Sequence, residues 1–98
     1  MVEKILSDAI RGKNLVEFDY EGGTKVLEPH IVAHNMQGHI LLSGWFVRGD
    51  SKFEEEGWQD YMLAGISNLT MLPEQFEKAR FGYNPLDDQK YANIQFCL

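Results

Sequence analysis

The stretch VLEPHIVAHNMQGHILLSGW, residues 26–45, decides how this chain is read. It carries all three histidines, His30, His34 and His39. His30 and His34 stand four apart, a spacing that would put two metal ligands on one face of a helix. Pro29, Val32 and the alternation of side-chain types indicate a strand instead. Four residues of strand cover roughly 13 Å at about 3.3 Å each, too far for both imidazoles to hold one ion. The segment therefore reads as a hairpin turning within HNMQGH. With Met36-Gln37 at its tip, Val32 pairs with Leu41, His30 with Ser43 and His34 with His39, and a loop one residue longer moves every partner. The last pair can share a metal, but no third ligand lies beside the turn, so no metal site is expected.

Working outward, LVEFDYEGGTKVLEPH also alternates, with Val16, Phe18 and Tyr20 on one side. A turn at Gly22-Gly23 would place Phe18 opposite Leu27 and Val16 opposite Pro29, building one apolar face. Glu17, Asp19 and Glu28 fall on the other face, where the plain reading is a solvated row of carboxylates. Upstream, Val2, Ile5, Leu6, Ala9 and Ile10 recur at helical spacing, and Gly12 or Asn14 can end that helix. Downstream, HILLSGWFV is a third strand that adds Ile40, Leu42 and Phe46 to the apolar face. RGDSKFEEEG is a charged excursion. WQDYMLAGISNLTML gives a fourth strand that bends at Gly65 into a fifth. PEQFEKARFGYNP reads as a helical turn started by Pro73 and followed by a loop, and QKYANIQFCL suits helix or strand.

The expected fold is mainly β: an N-terminal helix (1–14), a strongly curved five-stranded small barrel (15–72) and a C-terminal extension (73–98), all one domain. A chain of 98 residues that is 44% hydrophobic builds a thin core, so function is expected on a face or rim. Fifteen acidic against nine basic residues give a net charge of −6, which repels phosphate backbones and argues against nonspecific nucleic-acid binding. One cysteine, Cys97, excludes an internal disulfide framework and reads as a packed thiol rather than a nucleophile. With no leader-like or long apolar segment, a cytoplasmic protein without membrane contact is expected.

The order of these features resembles the WYL domain, an Sm-like or SH3-like small barrel found mostly in bacterial regulators. The resemblance rests on AIRGKNLVEFDY (9–20), EPH (28–30), GHILL (38–42) and WQDYMLAGISNL (58–69). GxS at Gly49 to Ser51, Trp58, Tyr61 and RFGYNPLD (80–87) resemble a stand-alone subgroup of small WYL-like proteins. The family resemblance implies a ligand sensor, often for a nucleotide or nucleic-acid fragment, acting in regulation of transcription or phage defence. The chain departs from the pattern in reading His39-Ile40-Leu41 at the name-giving tripeptide. Gln59 and Gly65 stand where the family has arginines, the natural bidentate partners of phosphate.

Acid/base chemistry would draw on His30, Glu28, Asp19 and Ser43, but no nucleophile elbow, phosphate loop or paired-carboxylate motif accompanies them. The chain is therefore expected not to be an enzyme and to need no cofactor. The favoured site is a binding face of His30, Ser43, Trp45 and Glu28, in which Trp45 stacks and the others hydrogen-bond. The competing role for Trp45 is packing under the N-terminal helix or the C-terminal tail. Trp58, Phe53 and Tyr61 read as core or anchoring aromatics. Phe81 and Tyr83 would clamp the tail, leaving Arg80 free to pair with a carboxylate. The resulting expectation is an accessory module that senses a small ligand or protein partner, with homodimerisation open to it. A rival reading is an acidic nucleic-acid mimic or inhibitor that offers its carboxylates to a basic partner.

Overall fold

A computed structural model describes residues 2–50, 56–87 and 89–98. Helix α1 (Val2–Gly12) is followed by β1 (Asn14–Tyr20), β2 (Gly23–Asn35), β3 (Ile40–Gly49), β4 (Gly57–Met62), a 3-10 turn (Leu63–Gly65), β5 (Ser67–Gln75) and β6 (Tyr91–Cys97). The strands form one antiparallel sheet in the order β4-β3-β2-β1-β5, and β6 pairs with β2. The described residues are thus mainly β with one helix, and the expected count of five strands is corrected to six among them. Among the described residues β4 and β5 do not pair, so the sheet is not closed. No helix among them is long and apolar enough to cross a membrane.

The apolar stripe read from the sequence is what α1 buries: Leu6, Ala9 and Ile10 meet Val16, Phe18, Leu27, Val32, Leu42 and Phe46 in the main core. The chain leaves the helix through Lys13, whose φ of 54° gives the left-handed turn common after a last helical residue. Two freed carbonyls near this end are satisfied from β5 and its continuation, where Gln75 Nε2 donates to Gly12 O at 2.7 Å and the Phe76 amide to Lys13 O at 2.9 Å. This docking carries β5 past Pro73 as an edge strand, where the missing N–H of proline is tolerated. The expected helical turn there is absent.

Both hairpin registers differ from expectation: the first two-residue turn sits one position earlier, and the second loop is one residue longer. The first turn is Glu21-Gly22, with φ of 50° and 81°, the pattern of a tight turn matched to strand twist. Phe18 therefore opposes Lys25, and Val16 opposes Leu27. The partners move by two, so the apolar residues keep their face. In the second hairpin Met36-Gln37-Gly38 form a three-residue loop, with Gly38 at φ 83° and the Asn35 side chain accepting from the Gln37 and His39 amides. Val32 opposes Leu42 and His34 opposes Ile40, so the His34–His39 and Val32–Leu41 pairs are corrected.

β2 is long enough to change neighbours along one edge. Residues 23–27 pair with β1, and residues 31–35 pair with β6. Pro29, which has no N–H to give, lies in the gap between the two. Against β3, Pro29 opposes Gly44 and Ile31 opposes Ser43, which leaves His30 as the extra residue of a bulge. Gly44 is required here, because a Cβ on it would meet Glu28 O at 2.4 Å.

Candidate functional site

Direct cross-strand partners share a face, so Glu28, Trp45 and Trp58 form one row and Ile31, Ser43 and Asp60 the next. This is the face opposite the main core, and the bulge adds His30 between the two rows. The expected register of His30 opposite Ser43 is therefore wrong, although the two remain on one side of the sheet. The C-terminal segment covers this side, where Tyr83, Tyr91, Ile94 and Cys97 build a second cluster on Ile31 and Ala33. Cys97 is a packed thiol there, half-buried opposite Ile31.

Every one of the four candidate residues is engaged by that segment. Glu28 is only 4% exposed, in contrast to the solvated carboxylate expected, and Arg80 grips it with two parallel bonds of 2.8 Å. The same guanidinium lies 5.0 Å from the centre of the Trp45 ring. Trp45 thus packs under the C-terminal segment, and its indole N–H donates to Glu56. Ser43 accepts from the Tyr91 hydroxyl at 3.0 Å and donates to Asp60 at 2.7 Å. Lys90 completes this group at 2.9 Å from Asp60; burial alone would lower its pKa, but the bond and charge of Asp60 hold it above the usual lysine value.

His30 is wholly buried, stacked on Phe76 at 5.2 Å and edged by Trp58 at 4.8 Å. Its Nε2 accepts the Arg80 amide at 3.1 Å, so the ring proton sits on Nδ1 and donates to Glu28 O at 2.8 Å. Burial pulls its pKa below 6.5, although the bond to Glu28 O and the Glu28 charge oppose this. A neutral imidazole whose two nitrogens are both committed is a positioning group. It locks Arg80, which in turn fills the space between Glu28 and Trp45.

The other sequence candidates lie elsewhere. Asp19 accepts from Thr24 and Asn68 at the hairpin end of β1, and these bonds lower its pKa, the Asn68 bond most. It makes no contact with His30. His34 keeps a buried Nδ1 with no hydrogen-bond partner among the described residues, and His39 sits at the second turn. No cluster of three metal-ligating side chains occurs among the described residues. Tyr61 is a core residue, its hydroxyl raised to about 12 by burial and then by Tyr20 and Asp60. Tyr83 does clamp the tail, donating to Leu98 O at 2.8 Å, whereas Phe81 points away from the protein. Phe53 lies outside the described residues.

Sequence reading missed Phe76, Asp60, Lys90 and Tyr91 as members of this face. A usable signal was present: Glu28 and His30 interrupt the otherwise apolar run from Val26 to Ala33, and a carboxylate there requires a buried partner. No protein-family model matches the chain, and no curated protein or solved structure matches it.

Proposed function

We propose that this chain is a non-enzymatic, WYL-like accessory module that senses a ligand or protein partner on the Glu28–Trp45 face. The small-barrel reading draws support from the helix that opens the fold, the β4-β3-β2-β1-β5 order and the 3-10 turn that links β4 to β5. One observation carries the site: a buried carboxylate and an indole face jointly hold a guanidinium that belongs to a segment without regular secondary structure. The protein's own Arg80 is then a built-in occupant, and a competing ligand takes its place. A carboxylate beside an aromatic face suits a cation, so the favoured ligand is an arginine-bearing segment of a partner protein. The phosphate ligand implied by the family resemblance finds little here, because Gln59 and Gly65 replace the arginines and Arg80 is committed to Glu28.

The test is a titration with nucleotides, a short oligonucleotide, arginine-bearing peptides and matched lysine peptides at two salt concentrations, followed by tryptophan fluorescence. Saturable binding of the arginine peptides, weakened by Glu28→Gln, is the expected result. Binding of nucleotides alone, or no saturable binding, would overturn the reading. Salt-sensitive binding to basic proteins regardless of sequence would favour the acidic-mimic alternative.

A further inference from the structure

The RFGY turn holds the most exposed aromatic ring of the described residues. The Phe81 side chain is 98% exposed, yet the backbone around it is tied at several points. On one side the Arg80 amide and guanidinium are fixed by His30 and Glu28. Trp58 Nε1 donates to Phe81 O at 2.7 Å, and the Tyr83 amide closes the turn on Arg80 O at 3.1 Å. Gly82 follows at φ 94°, a conformation few other residues adopt, and a Cβ there would sit 2.9 Å from Trp58 Nε1. A segment held at so many points loses little entropy on binding, so it serves to present Phe81 as a preorganised apolar anchor.

Beside the ring lies an open groove of about 430 Å³ lined by Phe76, Glu77, Lys78, Ala79, Arg80 and Phe81. Knob and groove belong to one loop, and the groove carries one carboxylate, Glu77, next to one ammonium, Lys78. A two-fold axis through such a surface places each Phe81 in the other copy's groove and each Glu77 against the other copy's Lys78. We infer that this loop is a self-complementary interface through which two copies of the chain associate. Two aromatic rings burying about 150–250 Å² each fall well short of the roughly 1,200 Å² of a stable interface, so the dimer is weak and concentration-dependent. It involves neither an empty Glu28 site nor any ligand, and so stands independently of the binding role proposed above.

Sedimentation velocity on the full chain from about 10 µM to about 1 mM tests this, a range matched to weak association. The wild type is expected to shift toward dimer with concentration. Phe81→Ala should raise the dissociation constant by about 30-fold or more, the loss typical of an anchor residue. An unchanged thermal melt would show that the variant remains folded. Glu77→Lys and Lys78→Glu should each weaken association, and the double exchange should restore it. A protein that stays monomeric at the highest concentration would overturn the proposal and leave Phe81 to a partner of different sequence. A dimer indifferent to Phe81→Ala, or a double exchange that fails to restore association, would overturn it equally.

Discussion

Arg80→Ala removes the guanidinium from Glu28 and leaves a carboxylate that is 6% exposed on its side chain without a counter-charge. Breaking a fully buried pair costs about 3–5 kcal/mol, and an exposed pair contributes about 0–1 kcal/mol. The Arg80 side chain is 40% exposed, so water screens its end of the pair and the expected loss lies between these limits, at about 2–3 kcal/mol. At about 4–8 °C per kcal/mol for a domain of this size, that corresponds to a fall in Tm of about 10–20 °C. The cycle is completed by Glu28→Gln and by the double variant, each unfolded in urea and followed by circular dichroism and tryptophan fluorescence. Glu28→Gln leaves no buried charge, and Arg80 can turn to water, so its cost should be smaller, about 1–2 kcal/mol. Adding Glu28→Gln to Arg80→Ala should recover stability, giving a coupling energy of at least about 1 kcal/mol. An Arg80→Ala loss below about 0.5 kcal/mol, or a cycle that closes with no coupling, would mean that Arg80 does not neutralise a buried Glu28.

Other consequences follow from the same contacts. His30 has a folded pKa below its unfolded value of 6.5, so the unfolded chain binds more protons between those two values. Stability should therefore be full above pH 6.5 and fall as acid carries the protein down toward the folded pKa, a trend that His30→Gln should flatten in pH-dependent denaturation. Gly44→Ala sets a methyl 2.4 Å from Glu28 O and 3.0 Å from Leu27, where backbone must move, and should cost about 2 kcal/mol or more in urea unfolding. Tyr91→Phe removes one bond from Ser43, which keeps Asp60, and should cost only about 1 kcal/mol, with β6 still docked as judged by amide exchange.

The parts of the fold that were legible in the sequence are those set by local pattern. The period of Val2, Leu6, Ala9 and Ile10 specifies α1, and the alternation from Val16 to Tyr20 specifies β1 and its buried side. Ile40, Leu42 and Phe46 mark the core face of β3, and the bend after Met62 appears as a 3-10 turn ending at Gly65. The path of β5 was hidden by Pro73, which punctuates most sequences but is accommodated on an edge strand. Tail residues 91–97 pair with the far half of β2, and no local signal announces a partner some 60 positions away.

The side of the sheet that the candidate residues occupy was legible in the sequence, and their partners were not. Glu28, His30, Ser43 and Trp45 do share one side of the sheet. The bulge at His30, however, shifts Ser43 to Ile31 and separates it, bonded to Tyr91 and Asp60, from Glu28, His30 and Trp45, which meet at Arg80. Bulges depend on which strand lies on each edge, and that is a tertiary fact. Pro29 and Gly44, facing each other across the pair, are the only local trace of it. Arg80 was readable as a cation seeking a carboxylate. Its choice of Glu28 over the other acidic residues is made by the desolvated rows that the sheet assembles beneath it.

Residues 76–84 close the Glu28–Trp45 face through Arg80 and His30. Amide hydrogen exchange resolved at single residues, with long-range 15N correlation of the His30 ring, tests this closure most directly. Slow exchange is expected at the Arg80 amide beside fast exchange at Phe81, with a neutral His30 protonated on Nδ1. An Arg80 amide that exchanges as fast as that of Phe81, or a His30 ring protonated on Nε2, would contradict it.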